Sequence, residues 1–308
     1  ASAMARNTRI YAMRHETVGV AYDLEAVAAD AADELFDDHQ GMWRYSKLLP
    51  VWGVPDAHGA DVGRTPTVPY PALSERYGVD LWVKHEGGNP TGSFKDRGLA
   101  VGVALGRALG AESFFLPSQG NAGVAASLFS TRLGLPACRV TMPEDYVGGM
   151  YHKACAHYGG KVSFFGPNIA AAGKFAREEM SEEVAAGRSV DLSTFFEPGR
   201  LEGKKTMGLE IYERFGDDLP DWVIYPTGGG TGLVGIWKAF EELKQLGLIA
   251  ADKPMPRMVA VQSTNCAPVV ESFLAGDEVV SPVTSQGTIA DGLDVPDAIM
   301  GHEMLRVL

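Results

Sequence analysis

Three stretches of this chain combine residue types with chemistry to offer. The first is Asn89-Pro90-Thr91-Gly92-Ser93-Phe94-Lys95-Asp96-Arg97-Gly98, where turn formers lead into the apolar, helix-compatible residues Leu99, Val101, Val103, Leu105 and Leu109. That punctuation predicts a helix start with Ser93 as its N-cap and Lys95 in the first turn. The positive end of a helix dipole disfavours an ammonium by a few tenths to about 1 kcal/mol. The position therefore lowers the amine's pKa and favours its nucleophilic form. A solvated lysine at a helix start has the same address, so the surrounding residues must decide.

The second stretch, Thr227-Gly228-Gly229-Gly230-Thr231-Gly232, follows strand-like Val223-Ile224-Tyr225 and opens a helix. Glycines let the backbone wrap tightly, and free amides at a helix N-terminus bind a phosphate dianion. Read as Gly230-x-Gly232-x-x-Gly235 the run also satisfies a dinucleotide fingerprint, but the acidic residue required about twenty positions on is replaced by Gln262-Ser263. A simple phosphate cup fits better. In the third stretch, Phe195-Phe196-Glu197-Pro198-Gly199-Arg200-Leu201-Glu202-Gly203-Lys204-Lys205-Thr206, three cations fall within six residues of an acidic protein. Such a cluster beside a cleft can hold an anionic leaving group, and a solvated helix start explains it equally well.

The elements that must position these groups alternate regularly. Short apolar runs at 113–116, 139–142, 161–165 and 189–192 read as buried strands, separated by helices at 122–133, 146–158 and 169–186. Strict alternation implies a parallel sheet with helices on its faces. Ligands of such sheets bind at the strands' C-terminal edge, where Pro117-Ser118-Gln119-Gly120-Asn121-Ala122-Gly123 lies. A second block has strands at 222–225 and 258–261 around a helix at 233–246, and the segment 195–203 separates the blocks. Ahead of them come a helix at 73–77 and a strand at 80–84. Residues 6–62 are the least readable; an alanine-rich helical pattern there ends in Asp33, Glu34, Asp37 and Asp38, most simply a solvated face.

With 308 residues the chain suits two domains, and 45% hydrophobic with 21% charged residues marks it as globular. A net charge of -12 argues against nucleic acid or an anionic membrane as main partner. No apolar run approaches the roughly 18 residues of a membrane span, and the N-terminus lacks the order of a signal peptide, so a cytoplasmic protein is expected. Cys138, Cys155 and Cys266 are too scattered for a disulfide framework and read as free thiols. No metal is expected: His152 and His157 splay on a helix around Cys155, and His15 with His39 cannot complete a four-ligand zinc site.

Lys84-His85-Glu86-Gly87-Gly88 followed by residues 89–98 closely resembles the cofactor-lysine segment of threonine synthase, a pyridoxal phosphate (PLP) enzyme of the tryptophan-synthase β type. Position 85 departs, since the family more often has an acidic residue there. The resemblance runs, with gaps, from about Gly41 to the end. It includes Gly41-Met42-Trp43-Arg44-Tyr45-Ser46-Lys47-Leu48-Leu49-Pro50 and Gly63-Arg64-Thr65-Pro66-Thr67, similar to the family's lead-in and its Gly-x-Thr-Pro-Leu turn. Residues 117–123 resemble its Ser-Ser-Gly-Asn-Ala loop, matching at Asn121 and not at Gln119, and 200–206 resemble its Arg-x-Glu-Gly-x-Lys-Thr segment.

What the resemblance implies is a fold-type-II PLP enzyme of class α/β, with two three-layer domains built on mainly parallel sheets. A small domain, 97–188, would be inserted in a large PLP-binding domain, 6–96 and 189–308. Lys95 would carry PLP, with Phe94 beside it and Asn121 on the ring hydroxyl. Thr227, Gly228, Gly229, Gly230 and Thr231 would hold the cofactor's phosphate. Ser118, Gln119 and Gly120 would hold the substrate carboxylate, and Arg200 with Lys205 the leaving phosphate. The implied reaction converts O-phosphohomoserine and water to threonine and phosphate, with Lys95 moving protons. Elimination or replacement at the β carbon of a serine- or threonine-derived amino acid would use the same apparatus, and an inactive PLP-binding homologue would retain it. A small amino-acid substrate and a homodimer complete the expectation. The apolar end Met304-Leu305-Arg306-Val307-Leu308 also suggests a chain continuing past Leu308, where the family's hydroxyl partner for the pyridine nitrogen would lie.

Overall fold

A computed structural model of the chain describes residues 3–4, 8–12, 18–30, 36, 39–55 and 58–308. The acidic residues Asp33, Glu34, Asp37 and Asp38, and His15, lie outside the described residues. The N-terminal part opens with β1 (Ala3–Met4), the antiparallel pair β2 (Thr8–Ala12) and β3 (Val18–Tyr22), and the short helix α1 (Leu24–Asp30). A 3-10 segment over Gly41–Leu48 then buries Met42, Trp43, Tyr45 and Leu48, and β4 (Val51–Trp52) returns to pair with β1. Gly41 has φ 61°, and a Cβ there would meet the Val62 carbonyl oxygen at 2.5 Å, so no larger residue fits. Next come β5 (Thr67–Pro69), α2 (Pro71–Tyr77) and β6 (Trp82–Lys84), with β5 and β6 antiparallel.

The alternating block follows as α3 (Lys95–Ala108), β7 (Ser113–Pro117), α4 (Asn121–Arg132), β8 (Arg139–Met142), α5 (Met150–His157), β9 (Lys161–Phe164), α6 (Ile169–Glu179), α7 (Ser181–Ala185) and β10 (Ser189–Asp191). Its strands form one parallel sheet in the order β10-β7-β8-β9, with Phe114 beside Val190 and Val140 between Leu116 and Val162. Phe114, Phe115 and Leu116 are all buried, as a parallel strand covered on both faces requires. Residues 189–191 pair with β7 and so belong to this sheet. Two expected helices are also divided. Gly148, at φ 75°, delays α5 until Met150, and Met180, with φ -98° and ψ 5°, ends α6 before α7 begins. Asn168 starts α6 by accepting the Ala171 amide at 3.0 Å.

The second block consists of α8 (Gly199–Phe215), β11 (Trp222–Pro226), α9 (Thr231–Gln245), β12 (Arg257–Val261), α10 (Pro268–Ala275) and α11 (Gly301–Val307). Here the parallel pairing among the described residues is confined to β11 with β12. The apolar end is packed within the chain, since Met304 and Val307 of α11 are buried. Among the described residues no helix is long and apolar enough to cross a membrane.

A seam of glycines sets how closely α3, α8 and α9 approach. A Cβ on Gly203 would lie 1.9 Å from the Arg97 carbonyl oxygen, one on Gly199 2.5 Å from the Gly102 Cα, and one on Gly98 2.8 Å from the Arg200 carbonyl oxygen. On the other flank of α8, a Cβ on Gly208 would meet the Ala239 Cβ at 2.7 Å, and one on Gly235 the Lys205 amide nitrogen at 3.0 Å. Interhelical distance depends on the side chains at the contact, and here the backbones themselves touch. The seam sets the first turn of α3 directly against the first turns of α8.

Candidate active site

Lys95 is the first residue of α3, as the sequence suggests, but the cap acts one step away from the expected arrangement. Phe94 occupies the capping position without a side-chain bond, and the Ser93 hydroxyl accepts the Lys95 amide at 3.2 Å. The Asp96 carboxylate pins the preceding loop by accepting the Thr91 amide at 2.7 Å and the Thr91 hydroxyl at 2.6 Å. The Lys95 amine stands 4.2 Å from the Phe94 ring centroid and makes no hydrogen bond or ion pair among the described residues. Its pKa is lowered to about 8, first by withdrawal from solvent and second by the Arg200 guanidinium. Burial and a neighbouring cation, more than the helix dipole, thus bring this amine towards its neutral form.

The head of α9 lies beside it. Gly230 has a left-handed backbone at φ 78°, and the first amides of α9 have no side-chain cap. A Cβ on Gly230 would meet the Met304 sulfur at 2.1 Å, one on Gly228 the Gly292 carbonyl oxygen at 2.6 Å, and one on Gly229 the Thr194 Cγ2 at 3.3 Å. The loop therefore offers backbone and little else. Thr227 is buried and fixes that loop, its hydroxyl donating to the Tyr225 carbonyl and its amide to that of Val261, each at 2.8 Å. The Thr231 hydroxyl accepts a hydrogen bond from the Lys204 ammonium at 2.5 Å. Lys204 is 1% exposed, and its ammonium lies 5.3 Å from the same Phe94 ring that Lys95 faces.

Arg200 is likewise buried; one terminal nitrogen donates to the Leu192 carbonyl at 2.9 Å, while its Nε has no partner among the described residues. Glu197 accepts the amides of Gly199 at 2.6 Å and Arg200 at 2.9 Å, and burial raises its pKa to about 7; the Asp191 carboxylate also acts on Arg200 while pairing with Arg177 at 3.5 Å. Phe195, two residues earlier, has a strained left-handed backbone at φ 65°. Positive charge is in surplus here.

Lys205 is not brought to this group. Its buried ammonium lies 2.8 Å from both Glu202 and Glu242 and 3.9 Å from the Tyr22 ring centroid, in a network completed by Lys238. Neighbouring residues of a helix point about 100° apart, so Lys204 and Lys205 cannot serve one site. The spacing from Arg200 to Lys204, four residues on one helical face, is the sequence signal that separates them. Tyr225 was also missed: its buried phenol has no partner among the described residues, and its ring meets Phe94 edge-on at 6.0 Å.

At the edge of β7, the Ser118 hydroxyl builds the turn into α4. It accepts the amides of Gly120 at 3.3 Å and Gly123 at 2.9 Å and donates to the Gly120 carbonyl at 3.1 Å. The side chains of Gln119 and Asn121 are half-buried and make no hydrogen bond among the described residues, which leaves both amides available. Gly232 and Gly235 of the dinucleotide-like spacing serve packing, since a Cβ on Gly232 would lie 1.9 Å from the Tyr225 hydroxyl. Gln262, where that motif needs an acid, caps α10 through the amides of Val269 at 2.9 Å and Val270 at 3.1 Å. His152 accepts the Gly148 amide at 3.0 Å, and Cys155 is buried in the core.

An unpaired amine of lowered pKa, a backbone-lined helix head and a buried surplus of cations suit a phosphorylated carbonyl cofactor. A family model of pyridoxal-phosphate dependent enzymes matches residues 60–307. The chain is 32% identical over 291 residues to the threonine synthase of Methanosarcina acetivorans, covering 94% of this chain and 69% of that one. It is also 32% identical over 292 residues to the threonine synthase of Methanocaldococcus jannaschii, covering 94% and 70%. Among solved structures, maize serine racemase shares the fold with a TM-score of 0.65 at 22% identity, over 79% of this chain and 68% of that one. The fold is also that of threonine deaminase isoform 2 from Solanum lycopersicum, with a TM-score of 0.63 at 22% identity over 78% and 62%. The site and these likenesses agree: the chain belongs to the PLP-dependent enzymes of fold type II, and within them to the threonine-synthase-like lyases.

Proposed function

We propose that the chain converts O-phosphohomoserine and water to threonine and phosphate. PLP, when bound, supplies the electron sink that makes carbon–hydrogen bonds next to the amino group acidic. Lys95 would hold PLP through its amine, and that same amine would carry protons at the substrate's α and β carbons. Its pKa of about 8 leaves it poised between acid and base near neutral pH. The glycine loop 227–231 would hold the cofactor's phosphate, Asn121 would meet the ring hydroxyl, and Gln119 with the turn at Ser118 and Gly120 would hold the substrate carboxylate. Phosphate leaves from the γ carbon, and the hydroxyl from water ends on the β carbon.

The observation that carries this reading is the charge balance around Lys95. Arg200 and Lys204 are buried beside it; the carboxylates set against them are Glu197, which spends both oxygens on backbone amides, and Asp191, which acts on Arg200 and is shared with Arg177. A phosphorylated substrate adds, to the cofactor's own phosphate, the further negative charge that such a cluster of cations accommodates. The test is a screen of amino acids and their O-phospho esters, following phosphate and ammonia separately. Threonine and phosphate formed together from O-phosphohomoserine are expected. Ammonia from serine or threonine, with no phosphate from any ester, would replace this reading by elimination at the β carbon.

A further inference from the structure

We propose that Lys204 is the cation of a phosphate-dianion site at the head of α9, completed by the Thr231 hydroxyl and the amides of the glycine loop. The inference rests on the PLP reading, which counts Lys204 only in its charge balance, and assigns that lysine a specific ligand. An ammonium has three donors, and Lys204 spends one of them on Thr231 at 2.5 Å. No carboxylate lies within ion-pair distance of it among the described residues, although it is 1% exposed. Its neighbour Lys205 is equally buried and is held by two carboxylates, each at 2.8 Å. The chain thus neutralises one lysine of the pair and leaves the other facing an uncapped helix head.

The charged groups around Lys204 are Lys95 from α3, Arg200 from α8 and Glu197 from the preceding loop; Phe94 and Thr231 face it without charge. A buried ammonium short of counter-charge is costly, and a dianion at the head of α9 removes that cost while meeting the free amides. Burial, Arg200 and Lys95 together hold the Lys204 pKa well below its ordinary value, so a phosphate arriving there should draw a proton onto the amine. The phosphate has two sources, the monoester of the cofactor and the phosphoryl group of the substrate. Both present the same dianion.

The experiment uses the full chain stripped of cofactor, titrated with PLP, with pyridoxal and with inorganic phosphate, in wild type, K204Q and K204R. Loss of one charge-assisted hydrogen bond corresponds to about 10- to 100-fold in affinity. If the cofactor is the source, K204Q weakens PLP by that factor, leaves pyridoxal unchanged, and K204R restores part of the loss. If the substrate is the source, PLP affinity is unchanged while inorganic phosphate binds the PLP-loaded K204Q chain more weakly than loaded wild type. Proton uptake on binding, measured calorimetrically in two buffers, should be smaller in K204Q than in wild type. Equal affinities for PLP and phosphate in wild type and K204Q overturn the proposal and leave the cofactor assignment standing. So does a parallel loss of pyridoxal, which would mark a damaged fold. Should wild type bind phosphate through Lys204 yet refuse both PLP and pyridoxal, the site stands and the cofactor reading fails. Should it bind none of the three, both fail.

Discussion

Lys95 and Arg97 sit two residues apart on α3 and meet opposite treatment. Arg97 is completely buried and spends its donors on Glu86 at 2.7 and 2.9 Å, Glu210 at 2.6 and 2.9 Å, Thr206 at 2.9 Å and Thr65 at 3.0 Å. Lys84, 2.5 Å from Glu210, brings that cluster to two cations and two carboxylates. Lys95, Lys204 and Arg200 have Glu197 and a share of Asp191, which Arg177 also holds. The closed cluster ties α3, α8 and β6 together, and the open one has charge left for a ligand. In a buried setting the sum of charge, more than the presence of charge, separates framework from site.

Replacement of one residue on each side should break this contrast in opposite ways. Lys95→Ala removes a group with no polar partner in the chain, so activity should fall by about 10³-fold or more while the melting midpoint holds or rises. A fall in stability with activity retained would show that Lys95 belongs to the framework. Arg97→Met leaves Glu86 without its cation and Glu210 with Lys84 alone, and should destabilise by about 3–5 kcal/mol, read from denaturant unfolding. A loss below about 1 kcal/mol would mean that the cluster is not the clamp it resembles.

The acid response sharpens the same division. Arg97 and Lys84 overcome the effect of burial and hold the Glu210 pKa at about 2, below its ordinary 4.5. A depressed carboxylate pKa contributes stability that is fully present above the unfolded value. That contribution should disappear as the pH falls from about 4.5 towards 2, and Glu210→Gln should flatten this limb. Lys95 has the opposite profile. Because only the neutral amine attacks an aldehyde, the rate of cofactor capture should rise about tenfold per pH unit up to about 8 and level beyond it. A rise continuing to pH 10 would sink the lowered pKa.

The smallest effect is expected at Gln119, whose unpaired amide stands where the family has serine. Gln119→Ser should change the relative kcat/KM between amino-acid substrates by about 10-fold, with stability unaffected. Unchanged ratios across a substrate panel would remove Gln119 from substrate choice.

The strands of the central sheet were legible because each is a short apolar run bounded by turn formers, and a fully buried parallel strand needs nothing else. The position of Lys95 was legible for a similar local reason. What escaped depends on contacts between distant segments. The i to i+4 spacing from Arg200 already set Lys204 apart from Lys205, but that Lys205 is neutralised depends on carboxylates from α8 and α9, the latter far along the chain. Tyr225 looked like an ordinary strand residue until Gly232 gave its hydroxyl room. The pairing of β10 with the first sheet depended on register across more than seventy residues of intervening chain, which no local pattern carries.

The glycine seam also bears on motion. With Gly203 against the Arg97 carbonyl and Gly199 against the Gly102 Cα, α3 and α8 have no side-chain layer between them in which to slide. Their amides can meet solvent only when the two helices part, which requires much of the core to open. Deuterium should therefore enter the 98–106 and 199–208 backbone last, at rates close to those of global unfolding. The uncapped head of α9 and the turn at 118–120 should exchange far earlier. Within one catalytic centre, the lysine would then stand at the head of the slowest-exchanging segment while the groups that greet the ligand stand on fast-exchanging ones.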